Sequence, residues 1–224
     1  MNTRKIFIAN LSKGEIGEMN CNLTGSLIVT QFYLAALRRI TMPEEARTLY
    51  PLYVDEFYSF ATASFGDILT EARKFGLSLC AAHQYLDQLE KADKSLRAAV
   101  LGTPGTRIAF RVGGEDASVL RKDFAPWPAE ELADLDNYTA LIKPLFYGEV
   151  KEPFKIRTYK TPPSLELHSG RSQSVANFSR DNYGTPGALV EAEISRWMQG
   201  VGQEASEATL ERIARTIAPH RNRG

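Results

Sequence analysis

The first half of the chain alternates short apolar runs with stretches of helical period. "KIFIAN" (5–10) is β-rich, a polar, glycine-containing turn "LSKGEIGE" follows, and Leu23, Leu27, Thr30, Leu34 and Leu37 then recur at helical spacing. This stretch predicts strand, loop and helix. "LYPLYV" (49–54) predicts the next strand, after which Ser64 and Asp67 have the form of a capping box. Phe65, Ile68, Leu69, Ala72 and Phe75 make the apolar face of the helix that this box opens, and Gly76 stands where a C-cap glycine belongs. "LSLCAA" (77–82) is a nearly continuous apolar strand ending at His83 and Gln84; "SLRAAVL" (95–101) predicts a short helix and "TRIAFRV" (106–112) a further strand.

Continuous apolar runs joined by helices predict an α/β domain with a mainly parallel sheet covered on both faces, its ligands at the carboxyl ends of the strands. Asp55, Glu56 and Gln84 all fall at such ends. Beyond "VGGEDASVLRKDFAPWP" the pattern changes to "YTALIKPLF" and "FKIRTYKTPP", which predict closing strands with an edge hairpin near prolines. The main domain is therefore expected over 1–163. Residues 164–184 mix serine, glycine and polar residues without periodicity and read as a linker. The tail, 185–224, carries two short amphipathic helices, around Leu189, Ile194 and Trp197 and around Leu210, Ile213 and Ile217.

Composition narrows little. The 27 basic and 27 acidic residues cancel, so net charge points to neither a nucleic-acid nor a membrane partner. Cys21 and Cys80 are too few for a disulfide framework or a zinc site, and Cys80, inside an apolar run, reads as a buried inert thiol in a reducing, cytoplasmic setting. No apolar stretch reaches the length needed to span a bilayer, and "MNTRKIFIAN" lacks the layout of a signal peptide, so the chain itself is expected to be soluble.

The chemistry concentrates where "LYPLYV" runs into Asp55 and Glu56. An apolar strand ending in two acids has the form of a Walker B element: magnesium needs a carboxylate at a fixed point through its water shell, and the attacking water needs a second acid beside it. On the pattern alone, a solvated turn or a helix cap explains the pair more simply. Gln84, at the end of the neighbouring strand, changes the balance, because ATPases with such sheets place a polar residue there to bond the water or the terminal phosphate. Its plainer role is to cap the helix that follows. His83 reads as a structural neighbour.

"KIFIANLSKGEIGE", "LYVDEFYSFATASFGDILTEARKFGLSLCAAHQYLDQL" and "RIAFRVGGEDASVLRKDF" together resemble the carboxyl-terminal half of TraD/TraG-like conjugative coupling proteins, the type IV secretion ATPases of the wider FtsK and HerA class. The resemblance runs from about Arg4 to Pro163, more weakly around "NFSRDNYGTPGALVEAEISRW". It implies a partial RecA-like P-loop NTPase domain with short C-terminal helices, serving a hexameric, ATP- and magnesium-dependent DNA translocase at the cytoplasmic face of the inner membrane. Asp55 and Glu56 match the Walker B acids, Asp55 for the metal and Glu56 for the water, and Gln84 matches the phosphate-sensing glutamine. Arg73 matches an arginine finger that reaches the neighbouring subunit's nucleotide, a task suited to a planar, permanently charged guanidinium. Without the resemblance, Arg73 reads as a surface residue on an amphipathic helix.

One part of such a site is missing from the sequence. No G-x-x-x-x-G-K-[ST] occurs in the chain, and neither "SKGEIGE" nor "GTPGTR" has the spacing or the lysine to replace it. The resemblance places the phosphate loop upstream of Met1, so the chain reads as the Walker B half of a motor whose other half is fused in a longer gene or supplied separately. The alternative is a catalytically silent docking module that meets a relaxosome or secretion-channel protein through 185–224. A metal-dependent nuclease built on Asp55 and Glu56 ranks below both, since the other strand ends supply no further acids or histidines.

Overall fold

The computed structural model describes residues 1–2, 5–61, 65–92, 94–160 and 170–198. The chain divides into two compact units, Met1–Lys160 and Thr161–Gly224.

The first unit opens with α1 (Lys13–Ile16) and the long α2 (Glu18–Leu37), then β1 (Tyr50–Val54), α3 (Phe65–Glu71) and β2 (Leu77–Ala81). The helices α4 (Leu86–Ala92) and α5 (Lys94–Gly102), the strand β3 (Arg107–Ala109) and the helices α6 (Gly114–Leu120) and α7 (Ala129–Ala133) follow. β4 (Thr139–Lys143), the hairpin β5 (Leu145–Phe146) and β6 (Glu149–Val150), and β7 (Phe154–Arg157) complete it. β1 and β2 pair in parallel from Tyr50 opposite Leu77 to Val54 opposite Ala81. The α/β class with a parallel sheet expected from the apolar runs is thus present. "TRIAFRV", however, contributes β3 to a separate antiparallel sheet of order β3-β4-β7.

The hydrophobic periodicity explains why these elements form. Phe65, Ile68 and Ala72 of the predicted helical face are buried with Val54, Phe57, Leu77, Leu86 and Leu89 in one core. Beyond α3 a single 3-10 turn, Ala72–Phe75, ends at Gly76, whose φ of 73° is the left-handed conformation that glycine adopts without a Cβ penalty. Ser64, the expected cap, lies outside the described residues. Arg39, 2% exposed, ties both strand entries together: its Nη1 donates to Thr48 O and Phe75 O, and its Nε to Asn2 Oδ1. A second core gathers Ala109, Ala117, Phe124, Leu132 and Leu141 between the antiparallel sheet and α6–α7.

Several local expectations are corrected. "KIFIAN" is not a strand: residues 5–10 are exposed and irregular, and β1 pairs with β2 alone among the described residues. α2 forms as predicted but with another face inward. Cys21, Gly25, Val29 and Ala36 are buried, while Leu23, Leu27 and Leu34 are exposed, because the small residues let the helix approach Phe60 closely. Among the described residues the parallel sheet is covered on one face only. Pro51, Tyr53, Ser78 and Cys80, which share a face by register, are exposed, so Cys80 is not the buried thiol; Cys21 is.

In the second unit, α8 (Arg171–Tyr183) occupies much of the expected linker, and α9 (Gly187–Met198) matches the first tail helix. α8 escapes periodicity analysis because its support is polar, including Gln173 Nε2 donating to Asn177 Oδ1 one turn on. The second tail helix, around Leu210, lies outside the described residues. No described helix is long and apolar enough to cross a membrane.

Candidate functional site

The carboxyl ends of β1 and β2 are pinned together by their backbones. Ala82 N–H donates to Val54 O at 2.9 Å, and Phe57 N–H donates to Ala82 O at 3.1 Å. Between these bonds the chain must reverse, and it does so at Glu56, a non-glycine residue with φ 46° and ψ 42°. That conformation crowds Cβ against the backbone at a cost of roughly 1–2 kcal/mol, a cost found where surrounding structure fixes a side chain in a particular direction. Asp55 supports the reversal by accepting the Glu56 N–H on Oδ1 at 2.9 Å. Phe57, fully buried, anchors it from beneath, stacked on Phe65 at 5.2 Å and edge-on to His83 at 5.6 Å.

The turn aims Glu56 at the neighbouring strand end. Gln84 Nε2 donates to Glu56 Oε1 at 3.3 Å, joining residues 28 apart in sequence. Asp55, Glu56 and Gln84 are therefore brought together as predicted from their positions at strand ends. Arg73 is not with them. It is exposed in the 3-10 turn before β2, at the amino end of the parallel pair, roughly 16 Å away by the rise of a five-residue strand. His83 is half-buried in the described packing. Burial pushes its pKa down, with the Tyr85 backbone and the Asp116 charge pulling the other way.

Sequence reasoning missed one participant. Lys13 Nζ lies 3.8 Å from Glu56 Oε2 and 3.4 Å from Glu18 Oε1. Burial alone lowers the Lys13 pKa, but the Glu18 hydrogen bond and the charges of Tyr58, Glu18 and Glu56 outweigh it and hold the ammonium above its usual range. No spacing rule connects Lys13 to Glu56, so only the folded turn reveals the contact. Beside it, a cavity of about 800 Å³ runs along β1, walled by Ile6, Phe7, Val29 and Phe32 and ending at Lys13, Asp55 and Glu56.

Asp55 keeps Oδ2 outside the turn bond, and among the described residues no group of three His, Cys, Asp or Glu side chains could hold a metal. The one free oxygen of Asp55 is what magnesium would ask of the protein, since that ion keeps most of its waters and binds through one or two carboxylates plus substrate phosphates.

No family model matches the sequence, and no curated protein matches it either. Solved structures do. The bacterial conjugative coupling protein TrwBdeltaN70 superposes with a TM-score of 0.50 at 18% identity, over 62% of this chain and 38% of that one. VirB4 of Thermoanaerobacter pseudethanolicus gives 0.51 at 15% identity, over 68% of this chain and 41% of that one. The chain shares their fold. It spans well under half of either protein's length. That shared fold is the one the resemblance of the sequence blocks implies.

Proposed function

We propose that the chain is the Walker B half of an ATP-driven, DNA-translocating motor of the conjugative-coupling kind, completed by a phosphate-loop half into a hexamer. The observation that carries this is the Glu56–Gln84 hydrogen bond at the ends of two parallel strands, with Asp55 beside it. A carboxylate and an amide held together in this way can bracket one water: the carboxylate takes its proton while the amide bonds the terminal phosphate. Asp55 would hold magnesium through its water shell, and the ion, when bound with the nucleotide, would neutralise charge on the phosphate oxygens. Arg73 suits a finger reaching into the next subunit, since it lies at the opposite end of the parallel pair from Asp55 and Glu56.

Among the described residues one face of the parallel pair is exposed and no strand pairs with the outer edge of β2, which leaves room there for a phosphate-loop half, since parallel sheets are ordinarily covered on both faces. Combining the chain with a polypeptide that supplies the G-x-x-x-x-G-K-[ST] half of the motor should produce ATPase activity. Glu56→Gln should remove it while leaving the complex assembled; hydrolysis that survives this change would sink the assignment.

A second reading, docking of a relaxosome or secretion-channel protein, is favoured by one feature: α9 exposes Leu189, Ile194 and Trp197. On that reading, binding of a candidate partner is lost when 185–224 are deleted.

A further inference from the structure

Lys13 reaches Glu56 from the turn that precedes α2, far from it in sequence. Its turn is built locally: Ser12 O accepts the N–H groups of Glu15 and Ile16 at 3.1 Å, which closes α1 into a single turn. Gly17, at φ 79°, then breaks the helix direction, and Cys21 Sγ, buried in α2, donates to Leu11 O at 3.1 Å. These contacts fix where the Lys13 backbone stands relative to α2. Glu18 Oε1, 3.4 Å from Nζ, fixes the ammonium itself.

The consequence falls on the Glu56 carboxylate, whose two oxygens have different partners. Oε1 accepts from Gln84, and Oε2 faces the Lys13 ammonium at 3.8 Å. Both side chains of the ion pair are more than a third exposed, so the pair contributes little to stability. Direction is the better explanation. A carboxylate held by one bond swings about its last torsion, and an opposite charge facing its second oxygen narrows that swing.

We propose that Lys13 is a positioning residue for Glu56, holding its carboxylate in the orientation that meets Gln84. The inference rests on the reading of Glu56 and Gln84 as the water- and phosphate-facing pair for its catalytic meaning, but its test does not pass through nucleotide. Lys13 touches neither substrate nor metal in this role; it acts through Glu56.

The Gln84 side-chain amide pair reports the contact in a nitrogen–proton correlation spectrum of the chain alone. Lys13→Met is expected to shift that pair toward its position in Glu56→Gln. Lys13→Arg, which keeps the charge, should restore at least half of the shift. Glu18→Gln, which disturbs the other partner of Lys13, should move it less than Lys13→Met does. An unmoved Gln84 amide in Lys13→Met overturns the proposal, as does an equal shift in Glu18→Gln, which would mark Lys13 as a prop for the turn. Either result leaves the ATPase assignment standing, because that assignment fails only through hydrolysis that ignores Glu56→Gln.

Discussion

At the scale of single residues, the strained backbone at Glu56 and the half-buried ring of His83 both carry measurable consequences. Glu56 occupies the left-handed region at φ 46°, where asparagine is tolerated far better than glutamate. Glu56→Asn is therefore expected to raise stability by about 0.5–1 kcal/mol in a denaturant titration, while removing the carboxylate that meets Gln84. A loss of stability would show that the Gln84 and Lys13 contacts outweigh the strain. His83 sets a pH dependence. Its folded-state pKa lies below the ordinary value because burial disfavours the charged ring. Stability is thus intact above the unfolded value of about 6.5 and declines as pH falls beneath it, until the folded ring is itself protonated. The thermal midpoint should fall over that window in the wild type and fall less in His83→Asn; equal slopes would remove His83 as the cause. The strand-end residues Asp55, Glu56 and Gln84 were legible in sequence because a strand's end is set by local pattern. Lys13 was not, since its contact depends on how one glycine-broken turn settles on α2.

Helices and strands were legible to different depths for a physical reason. α3, β1 and β2 lie in one core, and their burial follows the period of their apolar residues. α2 shows the limit: its leucines mark a helix correctly but not its inner face, which small residues take in order to approach the turn Phe57–Phe60. A Cβ on Gly25 would stand 2.2 Å from the Phe60 ring. Gly25→Ala gains roughly 1 kcal/mol of helix propensity and meets overpacking of about 1–3 kcal/mol. The expected result is net destabilisation, partly relieved by Phe60→Leu in a double-mutant cycle. Additive effects would mean that helix and turn do not press on each other there. "KIFIAN" is the opposite case, strong β propensity with no described strand pairing beside it, and propensity alone does not make a strand.

At the scale of the whole molecule, the parallel pair is the part that asks for a partner. Tyr50 N–H donates to Gly76 O, and Ala82 N–H donates to Val54 O. By the alternation of a parallel ladder, Ser78 and Cys80 then turn their backbone groups toward β1, while Leu77, Leu79 and Ala81 turn theirs to the outer edge. No described strand pairs with that edge, and an unpaired edge is a template for another strand. If a phosphate-loop half completes the sheet there, hydrogen exchange should divide the strand by parity. In the chain alone, the amides of Leu79 and Ala81 should exchange faster than that of Cys80 by on the order of tenfold or more. In the ATPase-active complex they should slow to match it. Outer amides that are already protected in the isolated chain would show the edge to be covered without a partner. Outer amides that stay fast in an active complex would move the phosphate-loop half to another surface, with the exposed face of Pro51, Tyr53, Ser78 and Cys80 next in line.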